Sequence, residues 1–216
     1  RAVRRHPRVA RSLSRMIPPV RVAVLASGGG TNLQSLLDAL NGTPDGAARV
    51  ERVVSNRSGA GALDRARRAG VTAVTLSDPT DVDQCLAALG DAQLVVLAGY
   101  LKLVPAAVVS RFRWRMVNIH PALLPDFGGP GMYGPRVHEA VLASGARESG
   151  ASVHYVTEEY DRGAVIARAR VPVLAGDTPD SLAARVLTAE HRLLPRVVTE
   201  LVRLGLPDHA VRLEDL

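Results

Sequence analysis

Residues 21–40 have the sequence RVAVLASGGGTNLQSLLDAL, and this stretch decides the fold class. The run 21–26 is short, apolar and rich in valine, which is typical of a buried strand, whereas the apolar spacing over 32–40 is typical of a helix. Only a short turn with glycines at 28–30 separates the two elements. A strand that leads at once into a helix opens a βαβ unit, so the stretch predicts an α/β protein.

The same alternation of strands and helices continues along the chain. Further strands are predicted at 50–55, 72–76, 93–98 and 115–120, with helices at 60–69 and 81–89. The second half differs, because a loop rich in proline and glycine is followed by two strands and then by a long helix. These elements are the loop 121–135, the strands 150–157 and 165–173, and the helix 178–204.

The short link between the last two strands predicts that they are antiparallel, since a parallel pair needs a longer crossover. Pro195 predicts a kink or a break in the last helix. The whole pattern predicts a Rossmann-like, mostly parallel sheet with helices on both faces and antiparallel strands in the C-terminal half. We expect residues 21–216 to form a single domain, with halves at 21–118 and 119–216.

The net charge of +6 equals the contribution of six arginines in the first fifteen residues, which contain no acidic residue. Residues 1–20 are therefore predicted to be a basic arm, either disordered or an upstream extension with a non-native start, because Met16 stands just before the first strand. The body is neutral, only 3% of residues are aromatic, and no nucleic-acid-binding motif is present, so we expect no nucleic-acid partner.

No apolar run approaches the roughly 18 residues that a membrane-spanning helix needs, and the N-terminus lacks a secretory signal. The sequence thus predicts no membrane partner and a cytoplasmic location.

The glycine turn after the first strand is a candidate phosphate site. Glycines between a strand and a helix allow backbone N–H groups to approach an anion, and the helix N-terminus adds partial positive charge. The turn matches neither the dinucleotide fingerprint nor the longer phosphate loop. A tight turn with Thr31 or Asn32 as a helix cap remains the alternative.

A second candidate site lies where the run 115–120 stops at Pro121. Asn118 and His120 are two residues apart, so on a strand their side chains share a face at its carboxyl end. With the carboxylate of Asp161 beside them, they would provide an oxyanion donor, a proton-transfer group and a group that sets the ionisation of the histidine. Acyl-type transfer needs these three functions.

Six segments in this order resemble the phosphoribosylglycinamide formyltransferase family, from about residue 21 to residue 205. They are Ser27–Asn32, Leu97–Val104, Asn118–Pro125, Ser152–Thr157, Tyr160–Gly163 and Thr188–His191. The resemblance implies the formyltransferase fold and transfer of a formyl group from 10-formyltetrahydrofolate to the amine of glycinamide ribonucleotide, in purine synthesis.

The resemblance also implies roles for individual residues. Asn118, His120 and Asp161 would be catalytic. The phosphate and ribose of glycinamide ribonucleotide would meet Gly28, Gly29, Gly30, Thr31, Asn32 and Glu190. The folate would meet Leu97, Leu101, Lys102, Leu103, Val104, Met116, Asn118, Val156, Thr157 and Asp161. We expect no metal, no partner beyond the two small molecules, and a monomer or homodimer.

Three other functions remain open at this point. Formyltetrahydrofolate deformylase and methionyl-tRNA formyltransferase are similar around the same trio, but they carry an additional N-terminal or C-terminal domain for which we expect no room here. A non-catalytic phosphate-binding module would need the glycine turn alone.

The sequence departs from the family in two places. Residues 78–90 contain no arginine, although members bind the glutamate tail of the folate there. The loop at 127–134 is rich in glycine, and we expect it to act as a mobile flap.

Overall fold

The computed structural model describes residues 18–42 and 46–216, so the predictions for the basic arm concern residues that lie almost entirely outside the described part. The strands are β1 Val20–Leu25, β2 Ala48–Ser55, β3 Thr72–Thr75, β4 Leu94–Leu97, β5 Met116–His120, β6 Glu148–Tyr155 and β7 Val165–Pro172. The helices are α1 Thr31–Leu36, extended by a π-helical turn at Leu37–Asn41, then α2 Gly61–Arg68, α3 Val82–Leu89, α4 Ala106–Arg111, α5 Pro135–Ala143 and α6 Pro179–Arg203.

All seven strands form one sheet in the order β3-β2-β1-β4-β5-β6-β7. The pairs from β3 to β5 are parallel, whereas β6 is antiparallel to both β5 and β7. The predicted fold class, mostly parallel with antiparallel strands in the C-terminal half, is confirmed. The chain reverses its direction across the sheet between β1 and β4, and ligands of open α/β sheets bind in the crevice at such a switch point.

Buried side chains form two hydrophobic clusters, one on each face of the sheet. Alternation along the strands divides them: Val22 and Val24 of β1 belong to one cluster, and Ala23 and Leu25 belong to the other. The first cluster contains residues of α1, α2 and α6, and the second contains residues of α3 and α4. Helices therefore cover both faces, as the sequence predicts.

Two helices were not predicted, and one predicted break is absent. Helix α4 has only six residues, and α5, with nine, begins at Pro135 at the end of the predicted loop rich in proline and glycine. Helix α6 runs through Pro195 without a break. The proline removes one backbone donor, but leucines and valines buried on both sides of it, from Leu193 to Leu201, hold the helix against the sheet.

The turn after β6 depends on a glycine. A Cβ atom built on Gly163 would lie 1.7 Å from the backbone oxygen of Tyr155, which cannot move without disturbing β6. We expect Gly163→Ala to lower the free energy of unfolding by about 1–3 kcal/mol or more, as overpacking does. Urea denaturation of both proteins checks this. Equal midpoints would contradict it, and Gly176→Ala is unsuitable as a control because Gly176 has a positive φ.

Candidate active site

The C-terminal ends of β4 and β5 and the start of α1 border a cleft of about 310 Å³, a volume at the lower end of the range of ligand sites. Its walls include the predicted trio, together with Asn32 and Glu190. Four large apolar side chains in its lining are unusually exposed: Leu101 39%, Leu103 46%, Tyr133 48% and Tyr160 40%. Exposed apolar surface grouped around a polar centre indicates a binding site.

The structure brings Asp161 to the two side chains of β5. Its Oδ1 lies 3.6 Å from His120 Nδ1 and 3.5 Å from Asn118 Nδ2. Asp161 stands in the loop after β6 with φ +56°, a left-handed conformation that aspartate tolerates better than most residues. The trio predicted from the sequence therefore meets in space.

His154 is a fourth member of this group, and no role was predicted for it from the sequence. It lies directly opposite Asn118 in the β5–β6 pair, and its Nε2 is 3.0 Å from Asn118 Nδ2 and 3.4 Å from Asp161 Oδ1. Its Nδ1 faces the oxygen of Tyr155 at 2.8 Å. Since a carbonyl only accepts, Nδ1 carries a proton, so Nε2 accepts from Asn118 when the ring is neutral and donates to Asp161 when the ring is charged. The sequence pattern that could have identified His154 is the placement of two polar residues, Ser152 and His154, at alternate positions of a buried strand.

Backbone groups of the loop after β5 hold the trio in place. The oxygen of Phe127 lies 2.8 Å from His120 Nε2, and the N–H of Gly129 donates to Asp161 Oδ2 at 2.9 Å. The carbonyl assigns the proton of neutral His120 to Nε2, so Nδ1 is the nitrogen free to accept a proton. The segment 127–129 of the predicted flap thus contacts the trio directly, while its mobility stays a prediction.

Burial and neighbouring charges set the ionisation of the site. Burial lowers the pKa of His120, and the opposing effects of Asp161 and the Phe127 carbonyl do not reverse it. Burial alone would raise the pKa of Asp161, but the His154 and His120 rings and the Gly129 N–H together hold it below the usual value. At neutral pH the arrangement is a neutral imidazole beside a carboxylate, which suits transfer of one proton.

The glycine turn between β1 and α1 directs its backbone oxygens away from solvent. Gly28 O accepts from Ala62 N at 3.1 Å, Gly29 O accepts from Arg65 Nε at 2.8 Å, and Gly30 O accepts from Gln34 N at 2.9 Å. Within the described residues, no acceptor lies in hydrogen-bonding range of the N–H groups from residue 28 to residue 32. Such consecutive free donors are the property that an anion-binding loop needs.

Asn32 and Glu190 connect this turn to α6. Asn32 Nδ2 donates to Glu190 Oε2 at 2.5 Å, while Asn32 Oδ1 is buried without a donor among the described residues. Glu190 is only 6% exposed. Burial raises the pKa of Glu190 to about 6, although the hydrogen bond from Asn32 acts in the opposite direction.

The raised pKa of Glu190 predicts a measurable pH effect on stability. The folded state favours the protonated form, so this stabilisation is complete below the ordinary value of 4.5 and is lost as pH rises through about 6. Between about pH 4 and pH 7.5 we expect the wild type to lose about 2 kcal/mol of unfolding free energy relative to Glu190→Gln. Urea titrations of both proteins at the two pH values measure it, and a difference that does not vary with pH would contradict it.

The predicted folate residues lie in the cleft with one exception. Leu97, Leu101, Lys102, Leu103, Val104, Asn118, Val156, Thr157 and Asp161 line it. Met116 is 1% exposed and packs in the second hydrophobic cluster, so the structure does not bring it to the cleft. It shares a strand face with Asn118 and His120 but lies deeper, beneath them. Of the glycine turn, only Asn32 contributes to the lining.

No group of three or more His, Cys, Asp or Glu side chains in residues 18–42 and 46–216 has the arrangement of a metal site. Over the same residues, none of the helices combines the length and apolar character needed to cross a membrane.

Comparison with known proteins decides the family. Residues 20–198 match the sequence profile of the family described as formyl transferase. The chain belongs to the formyl transferase family. The resemblance seen in the six sequence segments is confirmed. The solved structure of phosphoribosylglycinamide formyltransferase from Anaplasma phagocytophilum superposes on this chain with a TM-score of 0.81 at 31% identity, covering 92% of this chain and 100% of that one. The predicted formyltransferase fold is therefore confirmed as well.

Two formyl transferases illustrate the sequence similarity. The chloroplastic phosphoribosylglycinamide formyltransferase of Arabidopsis thaliana is 44% identical over 190 residues, covering 82% of this chain and 64% of the relative. The phosphoribosylglycinamide formyltransferase of Escherichia coli K12 is 40% identical over 188 residues, covering 83% of this chain and 86% of the relative. The chain thus spans slightly less than two thirds of the length of the plant relative, and the cytoplasmic location stays a prediction.

Proposed function

We propose that this formyl transferase moves the formyl group of 10-formyltetrahydrofolate to the primary amine of glycinamide ribonucleotide, a step of purine biosynthesis. One observation carries the proposal: Asn118, His120 and Asp161 meet in a cleft whose lining also includes Asn32 of the glycine turn and an exposed apolar rim. A phosphorylated amine needs an anion-binding turn, and a flat aromatic formyl donor needs an apolar surface. The names of the relatives support formyl transfer to phosphoribosylglycinamide.

We assign the substrates to different parts of the site. The phosphate would accept hydrogen bonds from the free N–H groups of Gly28, Gly29, Gly30, Thr31 and Asn32, and Glu190 would accept from the ribose hydroxyls or the amino group. The pterin would lie against the backbone of 101–104 and the side chain of Leu97, beneath the loop 156–161. Asn32 Oδ1, which is buried and has no donor in the described part of the chain, would gain one from the bound nucleotide.

The reaction needs no nucleophile from the protein. The substrate amine forms the new C–N bond to the formyl carbon, and the negative charge that develops on the formyl oxygen would accept a hydrogen bond from Asn118 Nδ2. His120 Nδ1 would take up a proton as the amine becomes an amide and, as an imidazolium, would stabilise the oxyanion. One proton leaves the amine and one reaches N10 of the folate when the old C–N bond breaks, so the protons balance.

Asp161 would act beside His120 in two ways. As a carboxylate with a lowered pKa, it favours the imidazolium 3.6 Å away. It would also accept the single proton that leaves the attacking amine through a water molecule and pass it to His120 Nδ1, 3.6 Å away. The backbone contacts of Phe127 and Gly129 would hold the imidazole and the carboxylate in the orientation that proton transfer needs.

The test is incubation with 10-formyltetrahydrofolate in the presence and absence of glycinamide ribonucleotide, followed by mass spectrometry of both products. We expect formation of N-formylglycinamide ribonucleotide and tetrahydrofolate only when the amine is present. Loss of the formyl group without the amine would instead indicate a deformylase. Absence of both reactions would refute the proposal.

We further propose that the two small molecules are the only ligands that turnover needs, with no metal, nucleic acid or membrane, and that the enzyme works in the cytoplasm as a monomer or homodimer. Turnover that persists after dialysis against a chelator supports the metal-independent chemistry, and loss that is reversed by a divalent cation would contradict it.

A further inference from the structure

Arg65 lies behind the glycine turn rather than in the cleft, and its contacts are unusual for a surface arginine. Its Nε donates to Gly29 O at 2.8 Å, and its Nη1 donates to Gln34 Oε1 at 3.0 Å. Gln34 is held in turn, because its Nε2 donates to Asp38 at 2.9 Å. The guanidinium therefore bridges the turn before α1 and the second turn of α1 itself, with its planar fork fixed at two points.

The glycine turn and α2 are packed so closely that the backbone position of each limits the backbone position of the other. A Cβ atom on Gly30 would meet the Cα of Ala62 at 2.7 Å, and one on Gly61 would meet the Cα of Gly29 at 3.3 Å. Ala62 N and Arg65 Nε bind the oxygens of Gly28 and Gly29, so two consecutive peptide groups turn their carbonyls toward α2. The N–H groups of the same two peptides, those of Gly29 and Gly30, consequently point away from α2.

The charge of Arg65 is not neutralised locally. Within the described residues, no carboxylate lies within 4 Å of its guanidinium, whereas Arg67 on the same helix pairs with Asp64 at 2.7 Å. The cation also lowers the pKa of His191, although burial of that ring contributes more. An uncompensated positive charge one peptide group behind a row of N–H donors favours a dianion such as a phosphate monoester.

We infer that Arg65 is a positioning residue for the phosphate site: it fixes the Gly29 peptide so that the N–H groups of the turn face the phosphate, and its charge adds to their field. The inference rests on the proposed function for the identity of the phosphorylated substrate. Because Arg65 acts on binding and not on the formyl carbon, its loss should affect KM for the nucleotide and leave kcat and KM for the folate nearly unchanged.

The test compares Arg65→Ala, Arg65→Lys and the control Arg68→Ala. Arg68 is on the same helix and is exposed, and among the described residues its side chain makes one hydrogen bond, to the backbone oxygen of Asp64 at 3.3 Å. We expect Arg65→Ala to raise KM for glycinamide ribonucleotide about 10- to 100-fold, the effect of losing hydrogen bonds from a charged group, with kcat changed less than about threefold. Lysine keeps the charge but cannot make both bonds, so Arg65→Lys should fall between alanine and the wild type.

Binding of ribose 5-phosphate, measured by calorimetry, provides a readout that does not need turnover. It should weaken by a similar factor in Arg65→Ala and remain unchanged in Arg68→Ala. If the wild type shows no formyl transfer but the loss of ribose 5-phosphate affinity is observed, the proposed function fails and the inference stands. If the wild type is active and Arg65→Ala keeps both its nucleotide KM and its phosphate affinity within about twofold, the inference is wrong. A fall in kcat with unchanged KM would also overturn it.

Discussion

Asp161→Asn is expected to lower kcat about 100- to 10,000-fold, the range found when a general acid–base group is lost. Asparagine has almost the same shape and, like aspartate, tolerates the left-handed backbone at this position, where φ is +56°. It can still accept from Gly129 N through its amide oxygen. What disappears is the negative charge 3.6 Å from His120 Nδ1, and with it the preference for an imidazolium in the transition state.

The pH dependence separates this role from a structural one. Asp161 raises the pKa of His120 against the effect of burial, so removal of the carboxylate should lower that pKa further. We expect the acidic limb of kcat/KM to move to lower pH in Asp161→Asn, together with the loss of rate. A limb at the wild-type position, or a kcat within about tenfold of the wild type, would contradict the assignment.

Asp177→Asn is the matched control. This carboxylate is bonded to Arg185 at 2.7 and 2.9 Å and to Leu174 N at 2.7 Å, and the arginine holds its pKa below the ordinary value. It lies just before α6 and does not line the cleft. Its stabilising effect is present above the unfolded pKa and is lost as pH falls through the folded pKa. The control should therefore lose stability at neutral pH and keep its kcat.

Asn118→Ala is expected to lower kcat about 100- to 1,000-fold, which is the usual cost of removing one preorganised oxyanion donor. The substrate carbonyl carries little charge before attack, so the interaction strengthens mainly in the transition state and KM should change little. Steady-state kinetics with each substrate varied in turn measure the two parameters. A raised KM with unchanged kcat would show that Asn118 only binds the ground state.

Asn41→Ala tests whether loss of a buried amide explains the effect. The Asn41 amide accepts from Val50 N and donates to Val50 O, both at 2.9 Å, and it is not part of the cleft lining. We expect this variant to unfold at lower urea concentration while its kcat stays near the wild-type value. If both asparagine variants lose kcat in proportion to their loss of stability, the oxyanion role of Asn118 is refuted.

Much of the architecture was accessible from sequence because it depends on neighbours along the chain. The valine run and glycine turn at 21–40 predict β1 and α1, and the repeated pattern predicts strands β2 to β7 close to their observed bounds. The same local rule placed Asn118 and His120 on one face of β5, since side chains two apart on a strand must project together. Helix α4 was missed because it has only six residues, and α5 was missed because it begins at the end of the loop rich in proline and glycine.

Other parts of the site arise from pairing and packing between distant segments. The antiparallel register of β5 and β6 places His154 opposite Asn118, and no local pattern specifies that register. The loop carbonyl of Phe127 and the N–H of Gly129 contact His120 and Asp161 through backbone atoms, which leave no mark on side-chain composition. Met116 has the spacing of a site residue, yet its depth in the sheet buries it in the core.

The order of elements, the glycine turn and the shared face of Asn118 and His120 can be predicted from sequence, because each follows from backbone geometry over a few residues. Only the tertiary structure decided that Asp161 reaches these side chains from the loop after β6, that His154 joins them, and that Arg65 supports the glycine turn from α2. These contacts join residues far apart in the chain, and sheet order, strand register and close packing of whole elements fix which distant groups meet.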